Sequence, residues 1–393
     1  MKHGRILHLR ASNFVGGPER QLLLHAQAQR DGEWNILLGT FLGEYEGQEL
    51  RQHAESLQLP NIALPSAPKN KALKMLVSQI RSAGVSLLCT HGYKADILGV
   101  IAGRITRVPV ACFLRGWTHE DWKVSAYERL DRWCLRYADR IVCLSNTQGA
   151  RIATSLSIRK RIRIVCNAIE SRHIADHERL QAQSELRRRL DLPVDSKVVA
   201  TAGRLSPEKG VADFLDAVRC LQDEFPAVRF VVFGDGFLRE ELRNQARALG
   251  IEERVRFAGF QKDLQTLLPG IDLLINPSHS EEMPNILLEA MSAKIPVVAT
   301  DVGGVAEIAG TERALRLVPS GYPHVLAMAI RDLVRNTQRA ERLAEAGHRR
   351  VEQTYSIAAQ QKQFDALYRE LLPNCKYECS TRHAVHDHLG SPV

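Results

Sequence analysis

Short runs rich in Val, Ile and Leu alternate with longer amphipathic segments along most of this chain. A short apolar run bounded by polar residues reads as a strand covered on both faces, and apolar residues at three- to four-residue spacing read as a helix. Parallel neighbours need a long crossover, which a helix supplies, so the alternation predicts βαβ units wound into parallel sheets. Strands are expected at 5–9, 35–38, 86–90, 109–113, 140–144 and 163–165, with helices at 19–30, 72–83, 94–106, 125–137 and 146–155. A second series has strands at 197–202, 228–233, 255–257, 272–275 and 296–300, with helices at 211–224, 238–249, 263–268 and 285–293. Helical patterns at 322–336, 339–355 and 357–372 follow, and the charged stretch 170–195 is expected to be the linker region.

The expected architecture is α/β, with two Rossmann-like doubly wound parallel-sheet domains facing across a cleft. Residues 1–175 form the N-terminal domain and 176–355 the C-terminal domain. Residues 356–372 form a helix returning to the first domain, and 373–393 a disordered tail. Open α/β sheets bind ligands beyond the carboxyl ends of their strands, so the chemistry is expected in strand-to-helix loops.

Length and composition permit two cores: 393 residues, 45% hydrophobic and 25% charged. The apolar runs are far shorter than the roughly 20 residues of a bilayer-spanning helix, and the first residues run into a strand rather than a secretory signal. A cytoplasmic placement is expected, with docking at the inner face of a membrane as a further expectation. Cys89, Cys112, Cys134, Cys143, Cys166 and Cys220 sit singly in apolar stretches, as reduced core thiols do. Cys375 and Cys379, near His383, His386 and His388, match no standard finger spacing, so the tail is expected to be unstructured rather than a metal site.

The net charge of +8 is uneven, with 25 Lys and Arg against 14 Asp and Glu in residues 1–175 and 28 against 31 in the rest. Zinc-finger spacing, aromatic ribonucleoprotein motifs and basic regions joined to heptads are missing, so nucleic acid is not the expected partner. An anionic membrane surface or acceptor is. One helical segment, 69–81, groups Leu73, Leu76, Val77 and Ile80 on one side and carries Lys71, Lys74 and Arg81 elsewhere. It reads either as an interfacial helix or as a surface helix packed on its own sheet.

The strongest chemical signal is Ser280-Glu281-Glu282-Met283-Pro284-Asn285-Ile286-Leu287-Leu288-Glu289, which opens a loop after a strand and starts a helix near Asn285. Free N–H groups at a helix start suit an anion, and carboxylates accept hydrogen bonds from sugar hydroxyls. Isolated acids before a helix are ordinarily only favourable neighbours of its first turn. Upstream, Gly203-Arg204-Leu205-Ser206-Pro207-Glu208-Lys209 ends a strand with glycine and offers two cations, which together can neutralise a diphosphate. Gly234 and Gly236 end another strand, and Gly16-Gly17-Pro18 follows the first one, though without the third glycine of the dinucleotide fingerprint.

In their order, these motifs resemble the family 4, or group 1, retaining glycosyltransferases over about residues 4–372. The resemblance implies the GT-B fold and transfer of a hexosyl-type sugar from a UDP- or GDP-sugar to a glycan or lipid-linked acceptor, with retained configuration, in polysaccharide or glycolipid biosynthesis. It implies a nucleoside-diphosphate sugar as donor, with no required cofactor and no metal. By the same resemblance Glu281 faces the donor sugar and Glu289 hydrogen-bonds the ribose, while the backbone at Met283, Pro284, Asn285 and Ile286 meets sugar and phosphate. Arg204 and Lys209 match the diphosphate pair, with Gly203 and Gly234 at their strand ends, and Gly16 and Gly17 match the N-terminal glycine loop. Gly259 and Phe260 match the turn beside the nucleobase, and His91 matches a histidine near the transferred sugar. Glu282 stands where the family commonly has glycine, which adds a charge beside the expected sugar pocket. That departure keeps two alternatives open: a catalytically altered sugar-nucleotide-binding protein, or a nucleotide-sugar epimerase on the same fold.

Overall fold

A computed structural model describes residues 3–44, 46–114, 129–130, 132–171 and 174–373. The tail with its Cys and His residues, and residues 125–128 and 131 of the helix expected at 125–137, lie outside them. The first sheet contains β1 (His3–Arg10), β2 (Trp34–Leu42), β3 (Asn61–Pro65), β4 (Val85–His91), β5 (Val110–Phe113), β6 (Arg140–Cys143) and β7 (Ile162–Ile164), in the order β3-β2-β1-β4-β5-β6-β7. The second contains β8 (Lys197–Ala202), β9 (Val228–Phe233), β10 (Val255–Gly259), β11 (Leu273–Asn276), β12 (Val297–Thr300) and β13 (Arg316–Val318), in the order β10-β9-β8-β11-β12-β13. Every neighbouring pair is parallel. The strand order reverses between β1 and β4 in one sheet and between β8 and β11 in the other, and such points are where open α/β sheets form their crevices.

Each sheet carries apolar cores on both faces, which is why its strands read as near-continuous apolar runs. One face of the first sheet is closed from far along the chain. The helix Ile357–Leu371 sends Phe364, Leu367 and Tyr368 into the core of Ile6, Leu22, Trp34 and Leu87. Burying Phe364 and Leu367 contributes about 1.5–3 kcal/mol each. Polar ties fix its angle: Trp34 Nε1 donates to Asp365 Oδ1 at 2.9 Å, and Glu370 pairs with Arg140 at 2.6 Å and with Arg163. Hydrogen bonds from Arg163, and then from Arg140, hold the Glu370 pKa at about 2.

The stretch 170–195 is not a plain linker, because Asp176–Leu190 is a helix of the second domain. Its charge-rich composition hides Ala182, Leu186 and Leu190 at four-residue spacing, and all three are buried. Arg187 is buried with them, donating to the Ser196 carbonyl at 2.7 Å and pairing with Asp272 at 3.3 Å. The short edge strands β3 and β13 and the helix Gln48–Ser56 also lie outside the expected elements. The Lys69–Ser82 helix spends its apolar face on its own sheet, with Ala72, Leu76 and Ile80 at 0–2% exposure, so the interfacial reading of this segment fails. Cys220 departs from the core expectation as well: it follows the last turn of the Val211–Arg219 helix and is exposed, with its Sγ 3.4 Å from His324 Nδ1. Among the described residues no helix is long and apolar enough to cross a membrane, and no three His, Cys, Asp or Glu side chains gather as a metal cluster.

Beneath the C-terminal helix runs a buried polar chain. The Tyr368 hydroxyl lies 2.8 Å from both His25 Nε2 and His8 Nε2, and His8 Nδ1 lies 3.0 Å from His91 Nε2. Burial lowers the His25 pKa from 6.5 to about 3. The unfolded chain therefore takes up a proton near pH 6.5 that the folded chain refuses until about pH 3. This group's share of stability is complete above pH 6.5 and is lost as the pH falls towards 3. At pH 5 the loss from this one group is about 2 kcal/mol. Denaturation midpoints measured from pH 7.5 to 4.5 should fall more steeply for the native chain than for His25→Gln, which has no proton to gain. Parallel curves would mean that His25 is not held neutral.

Candidate functional site

Loops from both reversal points meet at the cleft, and each is pinned by its own hydrogen bonds. In the first domain, Gly16 caps the helix Gly17–Ala28, with Pro18 in its first turn. Glu19, 1% exposed, takes the Gly16 N–H on Oε2 at 2.9 Å and Arg10 on Oε1 at 2.7 Å. Burial pushes the Glu19 pKa up, but the Arg10 charge and the hydrogen bonds outweigh it and the net shift is downward. Arg10 also donates to the His91 carbonyl at 3.1 Å, which ties the loop after β1 to the end of β4.

In the second domain the ends of β8, β9 and β10 touch through backbone. The Gly203 N–H donates to the Phe233 carbonyl at 3.1 Å, and the Gly234 N–H to the Gly259 carbonyl at 2.9 Å. Gly234 has φ +117°, and a Cβ there would stand 1.8 Å from the Gly203 oxygen, so only glycine allows this approach. Arg204 follows Gly203 and is exposed, and Phe260 follows Gly259 at 65% exposure.

Lys209 ends a short 3-10 turn and donates from Nζ to Glu281 Oε1 at 2.7 Å, while Ser278 Oγ donates to the same oxygen at 2.8 Å. The Lys209 side chain is 26% exposed and that of Glu281 9%. A cation parked on a carboxylate at a cleft is an exchangeable pair. An arriving phosphate competes for the ammonium, and the released carboxylate becomes free to accept from a hydroxyl. Glu208 stands nearby: burial raises its pKa, yet the Ser206 hydrogen bond and the Lys209 and Arg204 charges bring the net shift below the ordinary value.

The segment from Glu281 to Asn285 is the seam between the domains. Asn167, where the chain leaves the first sheet, donates from Nδ2 to the Met283 carbonyl at 3.0 Å and to Asn285 Oδ1 at 2.8 Å. Asn285 in turn reaches the Gly17 carbonyl at 3.5 Å, and a Cβ on Gly17 would meet its amide at 3.1 Å. Pro284 precedes the helix Asn285–Ser292 in extended conformation. Met283 and Ile286 pack against the core, and Met283 also accepts the Asn167 N–H on Sδ at 3.2 Å across the seam. One turn on, Asn285 and Glu289 line an interdomain cavity of about 380 Å³ together with Arg20, Gln21 and Gln265. Burial raises the Glu289 pKa, against a hydrogen bond from Gln265 at 3.2 Å and the charge of Arg20.

Two sequence readings change here. The His91 ring is 2% exposed, stacked on Phe113 at 4.6 Å and bonded to His8, so it belongs to the buried chain under the C-terminal helix and not to the open cleft. Glu282 does not crowd the Lys209–Glu281 pair: both its oxygens engage Arg151 of the first domain. Sequence reasoning did not single out Ser278, Arg20, Gln265, Arg151 or Asn167 as site residues. Ser278, three positions before Glu281, carried the most local signal.

Residues 16–168 match the glycosyl transferase 4-like domain, and residues 182–350 match the glycosyl transferases group 1 family. The lipopolysaccharide core biosynthesis glycosyltransferase LpsE of Rhizobium meliloti is 32% identical over 54% of this chain, a match spanning 59% of that relative's length. The Escherichia coli UDP-Gal:alpha-D-GlcNAc-diphosphoundecaprenol alpha-1,3-galactosyltransferase is 27% identical over 76% of this chain and 80% of its own. Anabaena HepE, solved in complex with UDP, superposes with a TM-score of 0.81 at 23% identity over 94% of this chain and all of its own, a likeness of fold that identifies GT-B. With the two family matches together covering most of both domains, the chain belongs to the group 1 glycosyltransferases.

Proposed function

We propose that this chain transfers a hexosyl-type sugar from a UDP- or GDP-sugar to a glycan or lipid-linked acceptor, with retained anomeric configuration. The observation that carries the reading is the Lys209–Glu281 pair, set where three glycine-lined strand ends meet the seam. In the proposed step the bond from the sugar anomeric carbon to the diphosphate oxygen breaks, and its electron pair leaves with the diphosphate. Arg204, Lys209 and the first N–H groups of the Asn285–Ser292 helix stabilise that charge. The acceptor hydroxyl attacks on the same face, and its proton passes to the departing phosphate. Glu281 accepts from sugar hydroxyls and Glu289 from the ribose. His91 contributes through its carbonyl, which holds Arg10 beside the glycine loop. The names of the relatives favour uridine as the base to test first, since one acts on UDP-Gal and another binds UDP. The binding-protein alternative drew on Glu282 crowding the sugar, and its pairing with Arg151 removes that motive.

The acceptor side of the proposal includes docking at the cytoplasmic face of an anionic bilayer. Its surface is a patch of the first domain distinct from the Lys69–Ser82 helix. Ile101 and Ile105 are 41% and 50% exposed, and Trp133 and Tyr137 are 52% and 41% exposed. Arg104 joins the two pairs: its guanidinium lies 5.8 Å from the Tyr137 ring and donates to the Tyr137 carbonyl at 3.3 Å, while Trp133 packs on Tyr137 at 4.9 Å. Aromatic rings beside guanidinium groups suit a headgroup region, where each basic group contributes about 1 kcal/mol. Vesicle sedimentation should show binding to anionic lipid that salt releases and that Trp133→Ala weakens. Equal, weak binding to anionic and neutral vesicles would sink the docking claim and leave the transfer claim standing.

For transfer itself, Arg204→Ala and Lys209→Ala should each lower turnover by roughly 100-fold or more while leaving the fold intact. Glu289→Ala should chiefly raise the KM for donor, whereas Glu281→Ala should chiefly lower kcat. Steady-state release of nucleoside diphosphate, with and without acceptor, checks all four. Wild-type turnover in both cation variants would remove those residues from the step. A thermal-shift panel of nucleotide sugars identifies the donor, which at 100 times its Kd stabilises by about 2.7 kcal/mol.

A further inference from the structure

The Asn146–Ile152 helix belongs to the first domain, yet carboxylates of the second domain hold it at both ends. At its start the Asn146 and Thr147 N–H groups have no partner inside the helix, as in any first turn. They donate instead to Glu307, at 2.9 Å to Oε2 and 2.7 Å to Oε1. The Thr147 hydroxyl and the Asn146 amide donate to the same two oxygens at 2.7 and 3.0 Å. At its last turn Arg151 engages both oxygens of Glu282.

The two gripping loops are themselves in backbone contact. Gly303 has φ +53°, and a Cβ there would stand 1.6 Å from the Glu281 carbonyl oxygen; one on Gly304 would stand 2.1 Å from the Glu282 carbonyl oxygen and 2.9 Å from Ser145 Cβ. Glu281, whose carboxylate holds Lys209, therefore adjoins a residue anchored in the other domain and lies under a turn that also abuts that domain.

We infer that Glu282 and Glu307 are positioning residues: by gripping one helix of the first domain they bias the cleft towards its closed arrangement and fix the loop that aligns Glu281 with Lys209. This rests on the transferase reading only for its consequence in turnover. The grip is a property of the folded chain. Arg151 is half exposed, with a side-chain exposure of 51%, so removing it leaves no buried group stranded on its own domain.

Hydrogen exchange separates a grip from a local contact, because the Asn146 and Thr147 amides bond to Glu307 and not to the Arg151–Glu282 pair. Exchange rates at those two amides would be measured in the full chain, in Arg151→Ala, in Glu282→Ala and in the double variant, alongside kcat and the Kd for UDP. Each single variant should speed exchange by roughly fivefold and lower kcat by a similar factor, with UDP affinity within about twofold of wild type. The double variant should match the singles rather than multiply them. Unchanged exchange in both single variants, or effects that multiply in the double, would overturn the inference. A wild-type chain that turns over no donor would refute the transferase reading, while the exchange rates would still decide the grip.

Discussion

Three glutamine side chains and one asparagine hold the short segment on which both domains hang. Where the chain leaves the first sheet, Gln21 makes a two-way contact with Ala168, donating to its carbonyl at 2.7 Å and accepting its N–H at 2.8 Å. Gln360 donates to the Cys166 carbonyl at 2.7 Å, and the Cys166 N–H donates to Gln363 Oε1 at 2.8 Å. Asn167, between them, faces the other way and bonds the second domain. Removing one partner of a buried amide leaves the other unpaired, at a cost of about 1–3 kcal/mol. The crossing point is therefore fixed in direction, and the seam at Met283 and Asn285 inherits that direction.

The chain returns to the first domain beside the place where it left. Ile169 bridges to Ser356, and its N–H donates to the Tyr355 carbonyl at 2.9 Å. Two adjacent crossings form a narrow hinge, about which the wider contacts can open and close while the hinge persists. The C-terminal helix begins at this return and runs under the first sheet to Tyr368. The glutamines at its start hold the hinge, and its later residues hold the His8 and His91 ends of β1 and β4. One helix thus supports both the pivot and the strand ends that face the cleft.

Alternating apolar runs made both sheets legible, because a strand covered on two faces has little freedom in composition. The glycine at 234 was legible for a related reason: close backbone approach admits nothing larger there. The Asp176–Leu190 helix was hidden because only Ala182, Leu186 and Leu190 along it carry the apolar burial signal, and its charges, the buried Arg187 apart, lie away from that stripe. His91 misled because a strand end has two sides, and sequence position does not say which one a ring takes. Glu282 misled for a different reason. Its partner is 131 residues away, in the other domain, and no local pattern encodes a pairing at that distance.

The two adjacent glutamates show how the seam tolerates charge. Burial raises the Glu282 pKa and the neighbouring Glu281 charge raises it further, while Arg151 lowers it. Glu281 answers to Lys209, a cation of its own domain, and Glu282 answers to Arg151, a cation of the other. The loop therefore has both its counter-charges only while the domains are together. Opening the cleft strips Arg151 from Glu282 but also lets water reach the carboxylate, so the net cost of opening is that of a half-exposed ion pair, about 0.2–1 kcal/mol. Glu307 adds four hydrogen bonds, two of them exposed and two part-buried, and because water replaces them when the cleft opens their net contribution is small. A contact of this size favours closure without locking it, which is the range a transferase of this architecture needs if donor and product are to pass through the same cleft in every cycle.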